Sequence, residues 1–355
     1  MRRSTRILAC AAVVAAGATF AALPAIASQD ETSSAASPDE TSSAGASPEE
    51  TASASASPDG TPSATASPDG TPSATASPDG TPSATASPDE TPSPTATASD
   101  QKVSVPAYFY PGTPGSSGGP YWDRLIASRD TVGLAVANPD NGPGQAVNTD
   151  YTAKMRQAEA AGVDVIGYVR TGYLGTAPNN FTTREEGSTD PGVWLNQIKR
   201  DVDAWYTMYG AANLDGIFFD EGMAQCGPGN KWADHYAELK KYVEGTYGAE
   251  AIVVANPGTG TQECFKDTAD TLVTFEGDED AYRRHQPEAW EAKVPSDKIW
   301  HLVYDVPDAA RMSEVVALSR ERNAGHVYVT HDILDNPWDT LPPAAYWNSL
   351  TGRTP

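Results

Sequence analysis

The chain has 355 residues, and 47 acidic against 24 basic side chains give a formal net charge of −23. Binding a phosphate backbone needs a basic face, so this balance argues against nucleic acid as a partner. Residues 101–355 hold 35 of the acids and 21 of the bases, so the globular part is itself acidic and has room for one large core rather than two.

Residues 1–27 begin with Arg2, Arg3 and Arg6, continue as an apolar run from Ile7 to Leu23, and end in Ala25-Ile26-Ala27. A basic start, a short apolar run and a small-x-small end form the pattern of an export signal. The run is too diluted by Ala, Gly and Thr to span a bilayer. The expectation is therefore a secreted protein, extracellular or associated with the cell wall, with no membrane span. Residues 28–102 form a low-complexity linker of Ser, Thr, Ala, Pro and Asp, in which the decapeptide Thr61 to Gly70 recurs from Thr71. No large apolar side chain between positions 28 and 100 offsets the cost of ordering, so this reads as a disordered, extended spacer. Once Cys10 leaves with the signal, Cys226 and Cys264 remain in an exported chain and are expected to form one disulfide.

From 103 to 355, short apolar runs alternate with amphipathic segments, the pattern of a parallel sheet. Strands are predicted at 105–110, 132–137, 163–169, 214–220, 251–255, 271–275, 299–304 and 326–330. Helices are predicted at 150–161, 192–209, 231–247 and 308–323, running to Gly162, Gly210, Gly248 and Gly325, residues suited to a left-handed stop. Eight such units in about 255 residues read as an α/β fold, a (β/α)8 TIM-type barrel. An open doubly wound sheet is disfavoured because Pro111 and Pro114 interrupt the loop where a phosphate-binding turn would stand.

In such barrels the chemistry sits at the carboxyl ends of the strands. Those ends are polar here: Asn138, Arg170, Asp220-Glu221, Asn256, Glu276, Asp305 and His331-Asp332. Strand alternation places Gly216, Phe218 and Asp220 on one side of the fourth strand, and Leu272, Thr274 and Glu276 on one side of the sixth. The sides carrying Asp220 and Glu276 are read as facing the barrel axis. Two converging carboxylates suit glycoside hydrolysis. Metal hydrolysis needs several histidines at ligand spacing, and no HxH or HExxH occurs among five histidines, so neither a metal nor a cofactor is expected. Tyr108, Tyr110, Tyr168, Tyr173, Tyr304 and Trp338 supply flat faces for sugar rings, with Asn138, Arg170, Asn256, Asp305, His331 and Asp332 as polar contacts.

Val105 to Pro111, Ala137-Asn138-Pro139, Gly167-Tyr168-Val169, Gly216 to Glu221, Ala255 to Gly258 and Phe275-Glu276 together resemble the spherulin-4-like proteins of glycoside hydrolase family 135. The resemblance implies a barrel that cleaves α-1,4-linked N-acetylgalactosamine or galactosamine exopolysaccharide, such as a biofilm polymer. It maps an adjacent acid pair onto Asp220 and Glu221 and a later catalytic acid onto Glu276. The leading expectation is an endo-acting, retaining, monomeric glycosidase with Asp220 as nucleophile, Glu276 as acid/base and Glu221 as orienting group. Two alternatives stay open. One is a non-catalytic carbohydrate-binding or structural barrel, and the other pairs Glu221 with Asp305.

Overall fold

The computed structural model describes residues 101–112 and 119–352. The expected signal and the spacer up to residue 100 lie outside them. Eight strands form a closed parallel barrel in the order β1 to β8: β1 (Lys102–Ala107), β2 (Val132–Ala137), β3 (Asp164–Arg170), β4 (Gly216–Asp220), β5 (Ile252–Ala255), β6 (Thr271–Asp278), β7 (Ile299–Tyr304) and β8 (His326–Val329). Around it lie α1 (Gly119–Ala127), α2 (Thr149–Ala161), α3 (Pro191–Tyr209), α4 (Lys231–Tyr247), α5 (Glu279–Arg284), α6 (Ala309–Glu321) and α7 (Ala344–Leu350). No helix among the described residues is long and apolar enough to cross a membrane.

The helix ends follow local chemistry. Asn148 caps α2, its side chain accepting from the Asp150 and Tyr151 amides, and Gly162 ends it in the left-handed region at φ 84°. Asp190 caps α3 in the same way, and Pro191 opens the helix. At α6 the expected stop moves. The residue with positive φ is Asn323, at 62°, and Gly325 answers a different need: a Cβ there would lie 2.5 Å from the carbonyl carbon of Ser296.

The first strand also moves. Pairing with β2 runs from Val103 to Ala107, and the chain turns at Tyr108, whose amide donates to the Pro106 carbonyl at 3.0 Å. Tyr110 therefore leaves the sheet. It is 48% exposed, and its hydroxyl donates to Asp150 at 2.5 Å.

The barrel's two faces can be read from its neighbours. Gly167 faces outward, where the Trp205 indole of α3 leaves no room for a Cβ. Tyr168 and Phe218 therefore point inward, and their rings stack at 6.3 Å. Asp220, two residues beyond Phe218, shares that inner side, as alternation predicts. Strand β6 departs from prediction. Its register with β7 shifts between Val273 and Phe275, leaving Thr274 as the extra residue of a β-bulge. Val273 pairs with Trp300, whose ring meets Phe218 inside the barrel. Phe275 instead packs outward on Tyr282 and His285. Thr274, expected beside Glu276, donates to the buried Glu291 at 2.9 Å. Glu276 still faces the axis, accompanied by Val273 rather than by Leu272 and Thr274.

Cys226 and Cys264 are bonded as expected, 38 residues apart with Cα atoms separated by 6.0 Å. The bridge joins the loops after β4 and β5, and the Cys226 amide also donates to the Gln262 side chain at 2.7 Å. Loop-closure entropy for this span is worth about 4 kcal/mol. A Cys226→Ser/Cys264→Ser double variant is expected to lose stability of that order in urea denaturation. A midpoint equal to that of the wild type would show that the bridge does not constrain the unfolded chain.

Candidate active site

Asp220 at the end of β4 and Glu276 near the end of β6 meet through Asn256, the residue just past β5. The Asn256 Nδ2 donates to Asp220 Oδ1 at 2.8 Å and to Glu276 Oε2 at 2.7 Å. Asn256 is 5% exposed, and its own backbone is held in the sheet by the bond from its amide to the Phe219 carbonyl, 2.7 Å. Each amide hydrogen thus goes to a different carboxylate. The other oxygen of Glu276 accepts from the Trp338 indole at 3.0 Å. Burial raises both carboxyl groups. Repulsion from Glu276 adds to this on Asp220, which is pushed up to about 7, while the N–H donors of Asn256 and Trp338 pull Glu276 partly back. Two acids this close do not ionise independently, so the pair retains a proton well above the usual carboxylate range.

The next residue is built differently. Glu221 adopts a left-handed backbone, φ 54°, and its side chain pairs with Arg170, whose Nε donates to its Oε2 at 2.7 Å. That strained turn is pinned from below. The Thr171 hydroxyl donates to the carbonyls of Asp220 and Glu221, and the Tyr173 amide donates to the Glu221 carbonyl at 2.9 Å. The Arg170 guanidinium lies over Phe181 at 4.4 Å, and Phe181 stacks on Tyr173.

Of the expected contact residues, Tyr108 and Tyr168 stand edge to face at 5.6 Å, and the charge of Asp220, secondary to burial, helps to hold both phenols protonated. Tyr304 meets Trp338 at 6.1 Å. Asn138 accepts from the Gly142 amide at 3.0 Å, shaping the loop after β2. Tyr110 lies apart from this set, on Asp150. His331 packs on Tyr346 of α7 at 6.0 Å. Asp332 holds the Thr340 hydroxyl at 2.5 Å, and its carbonyl accepts from the Asp305 amide at 2.8 Å. Asp305 lines a cavity with Asp278 and Arg284, whereas Glu221 is held by Arg170. Reading the sequence found Trp338 only as an aromatic face and missed its hydrogen bond to Glu276; it missed Phe181 altogether, which lies in an irregular loop.

A parallel eight-stranded barrel with a buried carboxylate pair at the carboxyl ends of its strands is the class of site these observations define. Residues 102–353 match the sequence profile of spherulation-specific family 4, and the chain belongs to that family. Spherulin-4 of Physarum polycephalum is 28% identical over 198 residues, covering 55% of this chain and 50% of that protein; the match thus spans half of the relative's length. The crystal structure of Aspergillus clavatus Sph3 in complex with GalNAc superposes with a TM-score of 0.57 at 24% identity, covering 72% of this chain and 98% of that one. The likeness to Sph3 is one of fold.

Proposed function

We propose that the protein is a secreted, endo-acting glycoside hydrolase of α-1,4-linked N-acetylgalactosamine or galactosamine polysaccharide. The observation that carries this reading is the amide bridge. Two bonds through one nitrogen keep Asp220 Oδ1 and Glu276 Oε2 within about 5.5 Å of each other. Retaining glycosidases space their carboxyl groups ~5–5.5 Å apart, against ~6.5–9.5 Å where a water must fit between them. In this mechanism Asp220 attacks the anomeric carbon while Glu276 protonates the departing oxygen; Glu276 then deprotonates the water that releases the sugar. Glu221, fixed by Arg170, sets the charge beside the nucleophile and orients the substrate. The GalNAc bound to Sph3 supports the choice of sugar, and a disulfide in the loops of the site is compatible with export.

Reducing-end release from α-1,4-linked N-acetylgalactosamine polymer tests the proposal. The wild type is expected to release ends from within the chain. Retention of the polymer in a pull-down with no release at any pH from acid to neutral would instead leave a carbohydrate-binding barrel without turnover.

A further inference from the structure

We propose that the cavity between the turn at residues 140–145 and Arg184 is a second sugar subsite, which takes the pyranose adjoining the unit held at Asp220 and Glu276. This rests on the glycosidase reading and extends it to how a chain is held. Two cavities lie side by side above the ends of β2 and β3. The first, about 420 Å3, is lined by Tyr108, Asn138, Asp140, Asn141 and Tyr168, and both of its tyrosines feel the charge of Asp220. The second, about 310 Å3, shares Asp140 and Asn141 with the first and is completed by Gln145, Arg170 and Arg184. A chain seated at the carboxylate pair and leaving on this side passes from one cavity into the other.

The second cavity has the chemistry that holds a sugar. Arg170 reaches it from beside the catalytic pair, bonded to Glu221 and laid on the Phe181 ring. Arg184 is fixed from behind: its backbone amide donates to the buried Gln197 at 2.6 Å, and its guanidinium pairs with the buried Asp201. Each guanidinium already has its own carboxylate. What the cavity offers is therefore oriented N–H donors and side-chain amides, together with the Asp140 carboxylate, groups that hydrogen-bond the hydroxyl and acetamido substituents of a pyranose.

Gln145 is exposed on the rim, so Gln145→Trp fills the cavity without entering the core. The experiment compares the full-length wild type and Gln145→Trp on α-1,4-linked N-acetylgalactosamine oligomers from dimer to octamer. The expected result is a wild-type kcat/KM that climbs with length and a variant whose loss grows with length, reaching tenfold or more on the longest. Equal length dependence in both proteins, with hydrolysis intact, would overturn the subsite and spare the glycosidase reading. Absence of both binding and cleavage of every oligomer by the wild type would instead remove the substrate assignment on which the subsite depends.

Discussion

Asp220→Asn is expected to lower kcat/KM by two orders of magnitude or more and, in the same protein, to raise the melting temperature above pH 7. The first effect follows from losing the attacking oxygen in a nearly isosteric change. The second follows from proton linkage. The Asp220 carboxyl is pushed from 3.8 up to about 7 in the folded chain, first by burial and then by Glu276. Between those values the native carboxylate pair holds a proton that the unfolded chain releases, so the pair's contribution to stability is largest below pH 4 and falls as pH rises towards 7. Above pH 7 the full cost of burying the charge is present. Asparagine carries no such cost, so the variant should gain up to roughly 4 kcal/mol there, or ~8–16 °C. The gap between variant and wild type should close as pH falls to 4. Parallel melting profiles across that range would show that the native carboxyl is not raised. Glu276→Gln should be equally slow on polymer yet recover activity on aryl glycosides with good leaving groups, which need no proton. Recovery in the Asp220 variant instead would reverse the two roles.

The second large effect is expected at Asn256, a positioning residue. Its single amide nitrogen donates to both carboxylates, so Asn256→Ala leaves two buried acids with no donor between them. A hydrogen bond to a charged group is worth ~1.5–3 kcal/mol, equivalent to about one to two pH units. The donor favours the ionised forms, so its removal raises the pair. Activity should drop tenfold or more, and the acid limb of the kcat/KM profile should move up by about one pH unit. A purely structural residue would lower the plateau and leave the limb in place. An unmoved limb therefore removes Asn256 from the machinery.

The barrel was legible because periodicity and helix ends are local properties. Asn148 and Asp190 act through their own backbone neighbours, and each strand that pairs without irregularity keeps its alternation. What escaped depends on partners distant in sequence. Gly325 is required by Ser296, and Trp338 reaches Glu276 across 62 positions. The strand-end rule gathered Asp220, Asn256 and Glu276, which the structure joins by hydrogen bonds, because all three lie at the end of the same closed sheet. It also gathered Tyr110 and Asp332, whose side chains bond Asp150 and Thr340. The rule sees which end of the barrel a residue occupies and not which neighbour claims its side chain.

The bulge at Thr274 has a consequence for how this site tolerates change. A regular strand has one phase from end to end, so a shift made to suit the core at one end would rotate every side chain at the other. Thr274 breaks β6 into two halves with independent phase: Val273 is set by its pairing with Trp300, whereas Glu276 is set by Asn256 and Trp338. The extra residue is itself anchored outside the barrel, on Glu291. The strand therefore works as a clutch, in which the packing half can be resized without turning the carboxylate out of the site.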